Sequence, residues 1–183
     1  MKFKVSAVFL LFIIFNYSCE NDNTHVENKN NMKSSRGYVL SSEGGEVLMN
    51  KSKRGDIKIK VSPKTGSQNL TMGTQNLSPQ SKIPIHVHRT ADEILFVHKG
   101  SGTGFINSDS EHIETGSTIF IPAGVWHGIE NSKDSMELLW IVTPPGLDQF
   151  FRDLDSANVS GTISLTAEEV EDIAKKHGDS YSP

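Results

Sequence analysis

Residues 86–93 read HVHRTADE. Imidazole nitrogens and carboxylate oxygens are the donor types that bind divalent transition metals. Whether His86 and His88 can act together depends on the local backbone. At a spacing of i, i+2, a strand places both rings on one face. A helix would separate them by about 200° around its axis, and a shared ion would be out of reach. Glu93 follows five positions after His88. The alternative to a metal site is a polar turn that happens to be rich in histidine.

The surrounding texture is β. Ile83, Ile85 and Val87 alternate with the two histidines, which predicts that His86 and His88 share the opposite face. RTAD reads as a short turn, so Glu93 opens the next strand, and antiparallel pairing can return it beside the two rings. From Gly37 onward, short apolar or β-branched runs recur: 38–40, 46–49, 57–61, 69–72, 83–88, 93–98, 102–106, 117–122, 126–130 and 136–142. In IKIKV, residues Ile57, Ile59 and Val61 are expected on one face. SSEGG, KSKRGD and SPKTGS supply turns. Close-spaced strands without intervening helices predict an all-β antiparallel sandwich or barrel. His127 lies in a second histidine-bearing run, PAGVWHGIEN (122–131).

Other candidates in this region rank lower. His98 has the opposite strand parity to Glu93 and should face away from it. His112 follows NSDSE and is expected in an exposed hairpin turn. Phe96, Trp126 and Trp140 could edge a pocket, although aromatic residues in β cores usually pack. GSGTG (100–104) does not lead from a strand into a helix, so it is a turn rather than a phosphate loop.

After TPPG (143–146) the pattern turns helical. Leu147, Phe150, Phe151 and Leu154 share one face of a predicted short helix over 147–154. A second helix is predicted over 165–178. Thr166 and Glu169 form a capping box, Lys175, Lys176 and His177 fill the last turn, and Gly178 suits the C-terminal cap. The expected role of these helices is to close an open end of the β domain or to offer a partner interface.

The chain has 183 residues, enough for one domain with tails. Its net charge is −4. Residues 1–18 contain Lys2 and Lys4 and no acidic residue, so the remainder carries −6. That balance argues against nucleic acid or an anionic membrane surface as an electrostatic partner. A single cysteine, Cys19, excludes an intramolecular disulfide framework. Lys2 and Lys4 precede VSAVFLLFIIF (5–15), an apolar run of signal-peptide length and short for a bilayer span. NYSC, ending at Cys19, resembles a bacterial lipobox, with Asn16 where leucine is usual. The resemblance implies cleavage after residue 18 and acylation of Cys19; the plainer alternative is a secretory signal with an incidental cysteine. The acidic Glu20–Asp22 stretch resembles surface-export signals of some lipoproteins. Residues 19–35 read as a tether too poor in apolar groups to fold, with His25 solvated.

HVHRTADEILFVHKG (86–100) resembles the first motif of the cupins: H-x-H, four residues, E, six residues, G. GSTIFIPAGVWHGIEN (116–131) resembles the second, through Gly116, Pro122, Gly124, His127 and Asn131. The two motifs fix nine positions within 46 residues. One departure is Gln80, which stands where a turn-shaping glycine is often found. FFRDL after a Pro-Gly is similar to the end of single-domain cupins of the quercetin-dioxygenase-like group. The resemblance implies a cupin double-stranded β-helix, or jelly-roll barrel, over 36–155, with short C-terminal helices in a helical tail over 156–183. It also implies that His86, His88, Glu93 and His127 are ligands of one divalent transition metal (Fe, Mn, Ni, Cu, Co or Zn), and that Asn131 is a structural turn residue. Such a set fills one hemisphere of an ion and leaves positions for a small-molecule substrate.

The function expected from this resemblance is a metal-dependent enzyme of the bacterial cell envelope, held to the outer membrane or cell surface by a lipid on Cys19. A dioxygenase is favoured. A sugar or uronate isomerase or lyase, and a non-catalytic carbohydrate-binding cupin, are the alternatives. Pairing of sheet edges makes a homodimer compatible with the fold.

Overall fold

The computed structural model describes residues 37–48, 56–157 and 165–181. The expected signal peptide and tether, with Cys19 and His25, lie outside the described residues.

Eleven strands, two α-helices and a short 3-10 helix (Pro63–Thr65) appear among the described residues. The strands are β1 (Glu46–Leu48), β2 (Ile57–Val61), β3 (Thr71–Leu77), β4 (Lys82–His88), β5 (Asp92–Lys99), β6 (Ser101–Ile106), β7 (Asp109–Glu114), β8 (Thr118–Ile121), β9 (His127–Asn131), β10 (Met136–Thr143) and β11 (Asp179–Tyr181). The helices are α1 (Leu147–Ala157) and α2 (Ala167–Lys176). Two antiparallel sheets form, with orders β1-β2-β3-β10-β5-β8 and β11-β4-β9-β6-β7. This is the all-β jelly roll expected of the sequence.

The core lies between the inner faces. Leu95 and Val97 of β5, with Leu138, Trp140 and Val142 of β10, meet Ile113 and Ile129 of the opposite sheet within one buried cluster. Trp140 fits because its register partner in β3 is Gly73. A Cβ at that position would stand 2.3 Å from the indole and 2.5 Å from the Lys58 carbonyl. Any side chain there would overpack the sheet.

Three local readings change. Residues 38–40 do not form a strand, and Val39 is 97% exposed. Ile57 and Ile59 share a buried face as predicted, but a register shift separates Ile59 from Val61, which is only half-buried. The stretch expected as a helical tail also contains β11, which joins the edge of the second sheet beside β4.

Helix α1 runs three residues past its predicted end and buries Leu147, Phe150 and Leu154. Helix α2 has the predicted capping box of Thr166 and Glu169. The C-cap is His177, whose Nε2 reaches Asp153 Oδ2 on α1 at 2.9 Å, so this ring joins the two helices.

Gln80, where the motif usually has glycine, adopts φ 61°. A left-handed backbone costs a non-glycine residue about 1–2 kcal/mol, partly offset by the greater entropy that glycine loses on folding. Gln80→Gly is therefore expected to stabilise the protein by about 0.5–1 kcal/mol. Urea unfolding at a fixed m-value checks this, and a loss of stability would show that the Gln80 side chain holds the turn.

Candidate metal centre

Strand alternation brings His86 and His88 to the inner face of β4. Antiparallel pairing sets His127 of β9 opposite His86 in register. Glu93 comes from β5 in the facing sheet, on the inward parity it shares with Leu95 and Val97. All four side chains are buried, and one donor atom from each lies within 4.8 Å of every other. Glu93 Oε2 stands 3.0 Å from His127 Nε2 and 3.3 Å from His88 Nε2. The His86 and His127 ring centroids are 4.1 Å apart.

The other nitrogen of each ring is occupied. His86 Nδ1 donates to the Pro84 carbonyl at 2.9 Å, and His127 Nδ1 donates to the Val125 carbonyl at 3.0 Å. A carbonyl can only accept, so both rings carry their proton on Nδ1 and turn Nε2 inward. His88 Nδ1 donates to the Asp179 carboxylate at 2.8 Å. Nε2 of His88 and of His127 are buried and align with no hydrogen-bond partner. Buried nitrogens of this kind are expensive unless something satisfies them.

This donor set fits a divalent metal. Nitrogen and oxygen ligands about 2.1 Å from a common ion stand up to about 4.2 Å apart, so the set needs a few tenths of an ångström of contraction. Asp179 behind His88, and carbonyls behind His86 and His127, are the partners that orient imidazole ligands.

The electrostatics favour an ionised carboxylate among the rings. Burial alone would raise the Glu93 carboxyl, but the His127 and His88 rings beside it hold it down at about 2. Burial, then the neighbouring His127 and His88, pushes His86 down to about 3. Burial alone would lower His88, but Asp179 and Glu93 on either side hold it up at about 9. In the metal-free chain at neutral pH, His86 is thus neutral and Glu93 ionised, while His88 keeps a proton that a metal must displace. Because that proton is bound below about pH 9, metal affinity should rise with pH up to that value, by roughly tenfold per unit for one displaced proton. Calorimetry in buffers of different ionisation enthalpy checks this, with about one proton released per ion near pH 7. A pH-independent affinity would contradict it.

The cluster forms one wall of a cavity of about 100 Å³ between the sheets. Leu95, Ile129 and Trp140 form other walls, and Leu147, Phe150 and Leu154 of α1 close it. Tyr181 of β11 stacks on His86, with ring centroids 5.4 Å apart and 24° between planes.

The remaining candidates fall elsewhere. His98 is exposed on the outer face, as its parity predicts, and Phe96 shares that face, so it does not line the cavity. Trp140 does line it but is wholly buried; Trp126 does not. His112 is exposed, but it sits on β7 rather than in a turn. Asn131 donates to the Leu77 and Ser78 carbonyls and so ties the loop before β4 to the end of β9. The sequence reading missed Asp179 and Tyr181. Neither stands at a motif spacing, and only the pairing of β11 with β4 brings them in.

Residues 73–143 match the family model described as the Cupin domain. The chain is 35% identical over 74 residues to uncharacterized protein L612 of Acanthamoeba polyphaga mimivirus, covering 38% of this chain and 46% of that protein. It is 32% identical over 66 residues to uncharacterized protein MJ1618 of Methanocaldococcus jannaschii, covering 36% of this chain and 53% of that one. The chain thus spans about half the length of these curated relatives. KdgF from a Halomonas species superposes with a TM-score of 0.56 at 14% identity, over 62% of this chain and 99% of that one. The polyketide cyclase RemF from Streptomyces resistomycificus gives 0.53 at 18%, over 60% and 83%. An RmlC-like cupin from Shewanella frigidimarina gives 0.53 at 16%, over 62% and 96%. At these identities the likeness is one of fold. The chain therefore shares the jelly-roll fold of these structures, and over residues 73–143 it is similar to the Cupin domain family.

Proposed function

We propose that the chain is a metal-dependent cupin enzyme acting on a small, largely apolar organic molecule, with dioxygen as co-substrate. The observation that carries this reading is the placement of three inward Nε2 atoms and the Glu93 carboxylate on one wall of an apolar cavity. A redox-active divalent metal held there would supply a centre for oxygen chemistry. His86, His88 and His127 would hold the ion through Nε2, and Glu93 would supply the anionic ligand. The apolar side chains of α1 and β10 exclude bulk water.

The cavity also shapes the substrate class. Its volume of about 100 Å³ is well below the ~300–1,000 Å³ of pockets for drug-sized ligands. That favours catechol- or thiol-sized molecules over polycyclic flavonols. Beyond the cluster, the polar side chains on its wall are Gln75, Lys82 and Tyr181. A sugar would bury many hydroxyls against few partners, which speaks against the carbohydrate alternatives.

Oxygen-electrode assays of protein loaded with Fe, Mn, Ni or Cu, against small catechols, thiols and flavonols, test the proposal. Consumption with one of the small classes is expected. Oxygen-independent turnover supported equally by Zn would replace it with Lewis-acid chemistry.

Export and anchoring through Cys19 belong to the same proposal and rest on the sequence around that residue. Cys19→Ser is expected to move the protein from the membrane to the soluble fraction of its host cell. Unchanged fractionation would remove the anchor.

A further inference from the structure

We propose that the C-terminal strand β11 is a latch on the metal centre, so that metal binding and docking of this strand stabilise each other. The inference rests on the metal-binding reading above and concerns residues outside the four-ligand set.

All three residues of β11 engage β4 or its end. The register sets Asp179 opposite His88 and Tyr181 opposite His86. Asp179, itself buried, accepts the His88 Nδ1 proton. The Tyr181 ring lies against the His86 ring. Between them, Ser180 Oγ accepts from Arg89 Nη2 at 3.0 Å, and the Arg89 amide donates to the Gly178 carbonyl. Two of the four candidate ligands are therefore oriented by a strand about 90 residues away in sequence.

β11 is also a short element. It has three residues, sits at a sheet edge, and pairs on one side among the described residues. Beyond that pairing, the Tyr181 amide donates to Glu171 on α2, and the Tyr181 ring centroid lies 6.5 Å from that of Phe150 on α1. Short elements at a sheet edge lie toward the low end of local stability. A carboxylate behind a ligand histidine fixes the tautomer and increases ligand basicity, and its loss typically costs 10–100-fold in metal affinity. Coupling between two equilibria is reciprocal. If Asp179 strengthens metal binding by some factor, the bound metal strengthens β11 docking by the same factor.

The test uses the full chain, stripped with a chelator and titrated with Zn²⁺ or Mn²⁺ alone. Two measurements are made: metal affinity by calorimetry, and hydrogen exchange of peptides covering 178–181 with and without metal. For the wild type, metal is expected to slow exchange in 178–181 about 10–100-fold, with little change in β7, which lies at the far edge of the same sheet. Asp179→Asn, which keeps the shape and removes the charge, is expected to weaken metal binding about 10–100-fold and to lose most of that protection. His112→Ala, on β7 at the far edge of the same sheet, should leave metal affinity within about threefold. Binding by the wild type with unchanged exchange in 178–181 overturns the coupling while leaving the metal site standing, and this holds even if Asp179→Asn folds poorly. Equal affinity in wild type and a folded Asp179→Asn protein overturns it too. Absence of any binding by the wild type overturns the metal reading and the latch together.

Discussion

Replacing Glu93 with glutamine is expected to weaken divalent-metal binding by more than about 100-fold, while the β domain stays folded. The expectation begins with geometry. Glu93 Oε2 lies 3.0 Å from His127 Nε2 and 3.3 Å from His88 Nε2, so any ion shared by those rings must sit beside it. Glutamine fills the same volume and offers only a neutral oxygen. Removing a group that merely orients a ligand costs about 10–100-fold, so neutralising the one anionic ligand should exceed that range. A 100-fold loss corresponds to about 2.8 kcal/mol. The fold should survive because Leu95 and Val97 keep β5 in the core, and His88 keeps its bond to Asp179. Competition against a chromogenic chelator measures the affinity, and circular dichroism reports the fold. His98→Ala is the matched control: it lies on the same strand with its side chain outward, and its affinity should be unchanged. If Glu93→Gln bound metal within about threefold of the wild type, the ion would have to lie elsewhere.

The legibility of that site in the sequence has a physical basis. A strand has period two, so HVH in a β context commits both rings to one face, and a short turn commits Glu93 to the neighbouring strand. The two motifs also encode turns: Gly100 and Gly124 both adopt positive φ, where other residues are strained. In strand β5 the opposed parity of Glu93 and His98 was readable, and Leu95 and Val97 share the inward face with Glu93; Phe96, a pocket candidate in the sequence, follows the same alternation outward. Strand β7 was not, because DSEHIE contributes only Ile113 to the core and its edge position leaves the rest in water. The reverse error at 38–40 has the same cause. An apolar triplet looks like a strand, but pairing needs a partner edge, which composition does not reveal. Asp179 was out of reach for a third reason. It touches His88 across 91 residues, and no spacing rule spans a connection that passes through two helices.

Arg152 shows how the helix that closes the cavity is itself held, and its replacement should have the largest effect on stability. Arg152→Met is expected to destabilise the protein by about 3–5 kcal/mol. The guanidinium is 7% exposed. Nε donates to Glu46 Oε2 at 2.9 Å and Nη2 donates to the same oxygen at 2.8 Å, tying α1 to β1. Nη1 donates to Asp148, one turn earlier on α1. Asp148 is 3% exposed, so without Arg152 its carboxylate would be buried with no ion-pair partner among the described residues. The stranded anion, more than the lost pair, drives the cost, because desolvation is no longer offset. This yields a sharper prediction. Arg152→Met combined with Asp148→Leu removes both buried charges and should recover more than half of the loss, so the double variant is more stable than Arg152→Met alone. Urea unfolding of the single and double variants closes the cycle. Because Phe150 and Leu154 on the same helix close the cavity, Arg152→Met should also loosen the cover over the metal centre, seen as faster hydrogen exchange in 147–157. A single variant as stable as the wild type would mean that Asp148 finds another partner or reaches water, and that Arg152 does not anchor α1.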